Sequence, residues 1–210
     1  MKYDAVIVAA GSGSRMNLGF NKVLYEIEEG VRVIDKSISL FLGDEECARV
    51  IVVLSEKDFS VPLAKEVIRV KGGKTRAESV HNGLEAAESA YVMVHDGARP
   101  FLKRESVELL KETLKEEDAC FLAVKEKDSL KKVIDGYVVE NIDRETIYHA
   151  QTPQAFKTEL LKRCLQEVME KQEAVTDDVQ AVQLHSDTKI KAVNGDEGNY
   201  KLTVIEDLHR

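Results

Sequence analysis

Four short apolar runs, Ala5–Ala10 (AVIVAA), Val50–Leu54 (VIVVL), Tyr91–Val94 (YVMV) and Cys120–Val124 (CFLAV), alternate with stretches of helical periodicity. Runs this short, this apolar and this rich in β-branched residues predict parallel strands joined by crossover helices. One of the intervening stretches, Thr75–Glu88, pairs Thr75 with Glu78 as a capping box and then places Ala77, Val80, Leu84 and Ala87 at helical spacing. Lys103–Lys115 repeats the pattern with Val107, Leu110 and Leu114 on one stripe, and Thr158–Met169 gives a third candidate helix. A chain of 210 residues can bury one substantial core, and without a repeat or linker it is expected to form a single α/β domain.

Leu130–Asp143 (LKKVIDGYVVENID) breaks that rhythm, with two β-rich arms around Asp135-Gly136, a common two-residue hairpin turn. A lone hairpin is marginal in water, so this one is expected to pack on something beyond its own base. A second subunit is the natural candidate; the alternative is a surface hairpin lying back on its own domain.

Charge and cysteine content narrow the function classes. A formal net charge of -8 argues against non-specific grip on nucleic acid or an anionic membrane, so any bound anion must meet a local basic cluster. Cys47, Cys120 and Cys164 are widely spaced and contain no C-x-x-C pair, which indicates reduced core thiols in place of a disulfide framework or zinc site. Ala5–Ala10 is too short for a signal-peptide core, and no later run approaches bilayer length; a soluble cytoplasmic protein is expected.

The first strand ends in GSGSRM, Gly11–Met16. In open α/β sheets ligands sit at the carboxyl ends of strands, where a glycine-rich turn exposes backbone N–H groups to phosphate. As a dinucleotide fingerprint this turn lacks a third glycine at Met16, although Asp35 after VRVI could imitate the ribose-binding acid of an NAD-dependent oxidoreductase. As a Walker loop it lacks the Gly-Lys-Ser/Thr ending. As a triphosphate loop of another kind, its glycines admit phosphate while Arg15 and Lys22 supply charge. A flexible turn with solvated basic residues is the bland reading. Two further segments favour the triphosphate one. VHDGARPF (Val94–Phe101) puts Asp96 just past an apolar strand, where one carboxylate can hold Mg²⁺ and leave its other ligands to phosphates; KGGKTRAESV (Lys71–Val80) supplies a second glycine pair at another strand end.

These segments, followed by IDRETIYHAQTPQAF, VTDD and NYKLTVIEDL, fall in an order that resembles the 2-C-methyl-D-erythritol 4-phosphate cytidylyltransferases of the non-mevalonate isoprenoid pathway. The resemblance runs from the first strand to the C-terminus. It implies a Rossmann-like nucleotide-diphospho-sugar transferase fold, a mostly parallel sheet flanked by helices, with a protruding β-arm over about residues 125–147 that clasps a second subunit. It also implies Mg²⁺-dependent transfer of CMP from CTP to the polyol phosphate. The ribitol 5-phosphate cytidylyltransferases share the CTP motifs and stand as the alternative.

By the same resemblance, Arg15 and Lys22 lie against the triphosphate and Asp96 helps to hold Mg²⁺. Lys201 and Arg144 orient the incoming phosphate, with Arg144 reaching the partner's site. Gly97, Arg99, Ser129, Thr152 and Thr176 match positions near the polyol phosphate, Ser129 and Thr152 being contributed across the dimer. Ala9, Ala10, Gly11, Gly13, Gly73 and Ser79 match positions around the nucleotide. Structural readings compete at two of these: Ser79 as a bond back to its own helix, and Thr176 as the N-cap of Asp177–Gln183. His95 and His149 are read as supports of backbone geometry. Four departures stand out: Asn21 where the family commonly has proline, which implies a less rigid loop; Lys74 where an acidic residue is frequent, which removes a ribose contact; Ser129 for threonine; and Gly97 for alanine.

Overall fold

The computed structural model describes residues 1–11 and 19–209. In chain order the elements are β1 (Tyr3–Ala9), β2 (Glu26–Glu28), β3 (Val31–Arg32), α1 (Val33–Leu42), β4 (Cys47–Leu54), β5 (Ile68–Lys71), α2 (Arg76–Leu84) and β6 (Tyr91–Asp96). The second half adds α3 (Arg104–Thr113), β7 (Ala119–Lys125), β8 (Leu130–Ile134), β9 (Tyr137–Ile142), β10 (Tyr148–Lys157), α4 (Thr158–Glu170), α5 (Asp178–His185) and β11 (Lys191–Asn194). The central sheet has seven strands in the order β11-β7-β10-β6-β1-β4-β5.

Neighbouring strands run parallel everywhere except at β10, which is antiparallel to both β6 and β7. The four strands expected from the apolar runs, β1, β4, β6 and β7, all run in one direction, so the sheet is mostly parallel as expected, with β10 inserted against it. Apolar runs did not reveal the edge strands β5 and β11, nor Tyr148–Lys157, whose centre is Gln151-Thr152-Pro153-Gln154. Those polar residues are buried at the sheet's centre, where their side chains tie loops together.

The sheet divides the core in two. Tyr3, Ala5 and Ile7 of β1 face α1 and α3 through Ile34, Ile38, Phe41, Val107 and Leu110. Val6 faces α2, α4 and α5 through Val80, Leu84, Leu161, Leu165 and Val182. This alternation follows from the strand's two-residue period, and each such side chain fully withdrawn from water contributes about 1.5–3 kcal/mol. Helix α2 approaches the sheet closely because position 83 is glycine: a Cβ there would lie 2.6 Å from Val6 Cγ1 and 2.9 Å from Val53 Cγ2.

Thr75 caps α2 as expected, its Oγ1 accepting from Glu78 N at 3.1 Å, but Glu78 Oε2 accepts from Lys74 N at 2.6 Å, one residue before the usual reciprocal partner. The helix stops at Leu84, short of the expected Glu88, and a turn leads Ala87 back into the core. Leu130–Asp143 folds as the expected hairpin, with Asp135 and Gly136 at φ 49° and 83° in the left-handed conformation that a tight two-residue turn requires. No helix among the described residues is long and apolar enough to cross a membrane.

Candidate active site

The segments at the carboxyl ends of β1, β5 and β6 line a cleft of about 490 Å³, within the usual range for a small-molecule site. Its walls come from segments far apart in sequence: Ala10 and Gly11 after β1, Lys22 on a 3₁₀ turn (Lys22–Leu24), Gly73–Arg76 and Ser79 at the start of α2, Asp96 and Ala98, and Lys201. The glycine pair permits close packing here. A Cβ on Gly72 would sit 2.5 Å from Ala10 Cβ, and one on Gly73 would sit 2.3 Å from Glu78 Cβ. Gly73 N donates to Ser79 Oγ at 3.0 Å, and Ser79 Oγ donates to Thr75 O at 2.8 Å. The Ser79 hydroxyl thus bonds back to its own helix, as the structural reading held, and also shapes the glycine turn beside the cleft.

Asp96 is the electrostatic centre. It is the last residue of β6, one position inside the strand end where the sequence placed it. Its Oδ2 accepts from Lys201 Nζ at 2.7 Å and lies 3.9 Å from Arg99 Nε, while Oδ1 lies 3.7 Å from Arg76 Nη2. Burial alone would raise this carboxyl, but Arg76, Lys201 and Arg99 outweigh it and hold Asp96 well below the usual carboxylate range. The carboxylate stays charged, and the surrounding cations exceed it in number.

Arg76 escaped the motif reading. Its guanidinium makes a bidentate pair with Asp178, both contacts at 2.9 Å, and Asp178 is fully buried at the start of α5. Burial opposes charge on Arg76, yet Asp178 and Asp96 keep it above its ordinary value. Asp178 N donates to Gln154 Oε1 at 3.0 Å, and Gln154 Nε2 donates to Asp177 Oδ2 at 2.9 Å, so β10, α5 and α2 are locked together behind the cleft. The VTDD sequence was a signal for this anchoring, since paired acids at a helix start need cationic partners when buried.

Lys201 reaches Asp96 because the C-terminal segment is tethered beside it. Leu202 N donates to Ala98 O at 2.9 Å, Arg99 Nη1 donates to Asn199 O at 2.7 Å, and the buried Asn199 Nδ2 donates to Thr152 O at 2.9 Å. Beneath Asp96, Thr152 Oγ1 accepts from Asp96 N at 3.0 Å and lies 3.1 Å from His95 Nδ1, while His95 Nε2 lies 3.1 Å from Arg99 O. Burial pushes the His95 imidazole down to about 4, which keeps it neutral and suited to bridging these groups. His95 thus supports geometry, as expected. Gly97 N donates to Val8 O at 3.0 Å, and a Cβ there would meet Ile7 Cγ2 and Val8 O at 3.3 Å, a tight fit for any side chain.

Several expectations require correction. Thr152 is 4% exposed and its hydroxyl accepts from Asp96 N, so in this chain it supports Asp96. Thr176 does not cap α5; Asp177 does, its Oδ1 accepting from Gln180 N at 2.9 Å, while the exposed Thr176 hydroxyl donates to Gln180 Oε1 at 3.0 Å. The Asn21 side chain is buried and hydrogen-bonded to Ala9, Asp58 and Val23. Asp35 caps α1 together with Arg32 and contributes nothing to the cleft, which removes the dinucleotide reading. Ala9 is 2% exposed, and its carbonyl accepts from Asn21 Nδ2 at 2.8 Å.

Ser129 and Arg144 lie away from the cleft, at the exposed base of the hairpin, where Ser129 Oγ accepts from Lys131 Nζ at 2.9 Å and Arg144 Nη1 donates to Lys127 O at 2.8 Å. His149 also supports that base, 2.7 Å from Glu126 Oε2. Gly13 and Arg15 fall outside the described residues.

A mostly parallel sheet with glycine turns and basic side chains gathered around one charged carboxylate at its strand ends defines a Rossmann-like, nucleotide-handling transferase. The sequence model of the family IspD, 2-C-methyl-D-erythritol 4-phosphate cytidylyltransferase, matches residues 3–210, and the chain belongs to that family. The Bacillus licheniformis enzyme of this name is 39% identical over 99% of this chain and 93% of its own. Among solved structures, the 4-diphosphocytidyl-2C-methyl-D-erythritol synthase of Anaerococcus prevotii superposes with a TM-score of 0.87 at 30% identity, covering 99% of this chain and 93% of that one. The Thermus thermophilus 2-C-methyl-D-erythritol 4-phosphate cytidylyltransferase gives 0.81 at 27% identity, covering 97% and 94% respectively.

Proposed function

We propose that this cleft performs the reaction of its family, transfer of CMP from CTP to 2-C-methyl-D-erythritol 4-phosphate, giving 4-diphosphocytidyl-2-C-methyl-D-erythritol and pyrophosphate. The observation that carries the reading is the setting of Asp96: one ionised carboxylate at a strand end, with Lys201, Arg76 and Arg99 around it and Lys22 on the same cleft. Such a site is built to neutralise a polyphosphate.

An oxygen of the acceptor's phosphate forms a bond to the α-phosphorus of CTP as the bond from that phosphorus to the pyrophosphate oxygen breaks. A phosphate monoester has its second pKa near ~6, so the nucleophile is already largely deprotonated and no general base is required. The protein's task is then to align the reactants and to place fixed charge around the phosphoryl group in transit. Lys22 and Arg15 stabilise that charge, and Lys201 exchanges Asp96 for the incoming phosphate. The glycine turns at Gly11 and Gly73 hold the nucleotide with backbone groups.

Asp96 fits a Mg²⁺ ion. Among the described residues no group of three or more His, Cys, Asp or Glu side chains could hold a metal, so Asp96 is the side chain that would hold the ion, in keeping with the few protein ligands Mg²⁺ commonly takes. Bound there, it would neutralise phosphate oxygens and stabilise the departing pyrophosphate.

The hairpin completes the proposal. Val133, Ile134, Tyr137, Val138 and Val139 are each more than half exposed on β8 and β9, apolar surface on both faces of the arm that a second copy of the chain in a homodimer would cover. Ser129 and Arg144 at its base would then serve the partner's cleft. The test is pyrophosphate release with CTP and Mg²⁺, using methylerythritol phosphate or ribitol 5-phosphate as acceptor. Release with the first alone is expected; release with ribitol phosphate alone would move the chain's substrate to the sister enzymes.

A further inference from the structure

The turn that carries Lys22 is held by a buried hydrogen-bond hub. Asn21, 5% exposed, uses both ends of its side-chain amide: Nδ2 donates to Ala9 O at 2.8 Å and to Asp58 Oδ2 at 3.0 Å, and Oδ1 accepts from Val23 N at 3.3 Å. Asp58 Oδ2 also accepts from Ser55 Oγ at 2.7 Å, and Ser55 Oγ accepts in turn from Asp58 N at 3.2 Å. Three pieces of chain meet in this hub: the end of β1, the turn bearing Lys22, and the loop that follows β4. Asn21 itself is in ordinary extended backbone, φ -68° and ψ 122°, so local conformational preference alone does not fix the direction in which the chain enters Lys22.

We infer that Asn21 and Asp58 are positioning residues for the transfer reaction, fixing where Lys22 presents its charge. The inference rests on Lys22 being a catalytic cation. A lysine is a point charge on a flexible stem, so its placement depends on the backbone that launches it, and a misplacement of about 1 Å can cost ~10²-fold in rate. Asp58 is 9% exposed and does not line the cleft, so it acts only through Asn21 and the turn.

Steady-state kinetics with CTP and methylerythritol phosphate test this. Asn21→Ala and Asp58→Ala each lower kcat about tenfold or more with KM for CTP changed little, and the double variant is no slower than the slower single, because both break one hub. Asn21→Pro recovers most of the lost kcat, since the ring holds φ near -65° without any side-chain bond. Asp58→Asn, whose amide oxygen still accepts, likewise recovers what Asp58→Ala loses. In a Lys22→Ala background, Asn21→Ala produces no further loss. Unchanged kcat in Asn21→Ala, or an equal loss with and without Lys22, overturns the inference. If Asn21→Ala fails to fold, the contrast between Asp58→Ala and Asp58→Asn decides. Slow turnover in Lys22→Ala beside normal turnover in Asn21→Ala leaves the role of Lys22 standing and rejects the hub; normal turnover in Lys22→Ala rejects both.

Discussion

Arg76 joins the catalytic cleft to the core behind it. One guanidinium spans Asp178, bidentate and buried, and Asp96 at the cleft surface. Lysine cannot reproduce that fork, and breaking a buried pair leaves an uncompensated charge at a cost of about 3–5 kcal/mol. Asp178→Ala should therefore lower unfolding stability by several kcal/mol in urea titration, and Arg76→Lys should lower both stability and kcat/KM, because Asp96 loses a fixed neighbour. A second prediction concerns the cations themselves. Arg15→Ala and Lys22→Ala should each reduce kcat by about 10²–10³ while leaving the circular dichroism spectrum unchanged, since each removes preorganised charge from the transition state. Near-normal turnover in either would remove that residue from the mechanism. The strand-end motifs pointed to Lys22 and Asp96 and the family resemblance to Lys201; Arg76 lies inside KGGKTRAESV, where nothing local marks it, because its partner Asp178 is distant in sequence.

The hairpin is the element whose sequence and structure agree most closely. Asp135-Gly136 sets the turn, and the register follows from it, Ile134 opposite Tyr137 and Val133 opposite Val138. Its apolar side chains Val133, Ile134, Tyr137, Val138 and Val139 stay exposed, the surface that the proposed second copy would cover. Deleting Leu130–Asp143 should yield monomers in sedimentation with little remaining activity; an active monomer would contradict a shared site. Strand β10 is the opposite case. Its buried centre is polar, and its antiparallel direction depends on contacts with β6 and β7, so neither period nor propensity marked it as a strand. Helix α5 shows a smaller version of the same limit: the cap fell on Asp177 and left Thr176 outside, because both residues suit an N-cap and Gln154 of β10 chose between them.

On the scale of the whole molecule, a second charge cluster closes the far side of the sheet. Lys111 of α3, 4% exposed, contacts Asp44 at 3.1 Å, Glu46 at 2.8 Å and Glu108 at 2.8 Å, and the N-terminal ammonium also pairs with Glu46. Hydrogen bonds from Lys111 and the N-terminus bring the Glu46 carboxyl from 4.5 down to about 2. The folded value lies below the unfolded one, so this group adds stability above pH 4.5 and loses it as pH falls toward about 2. Glu46→Gln should lower the thermal midpoint at pH 7, with the two melting curves converging as pH approaches 2; a constant offset across that window would refute the linkage. By itself the sequence determined the α/β alternation, the hairpin, the glycine turns and the placing of Lys22 and Asp96 at strand ends, because strand and helix periods, turn chemistry and motif spacing are local properties of the chain. Tertiary structure alone decided the reversal of β10, the hub around Asn21, the withdrawal of Thr152 beneath Asp96 and the Arg76–Asp178 pair. Each of these depends on which distant polar groups are buried together, and a buried polar group takes whatever partner the fold brings within hydrogen-bond reach.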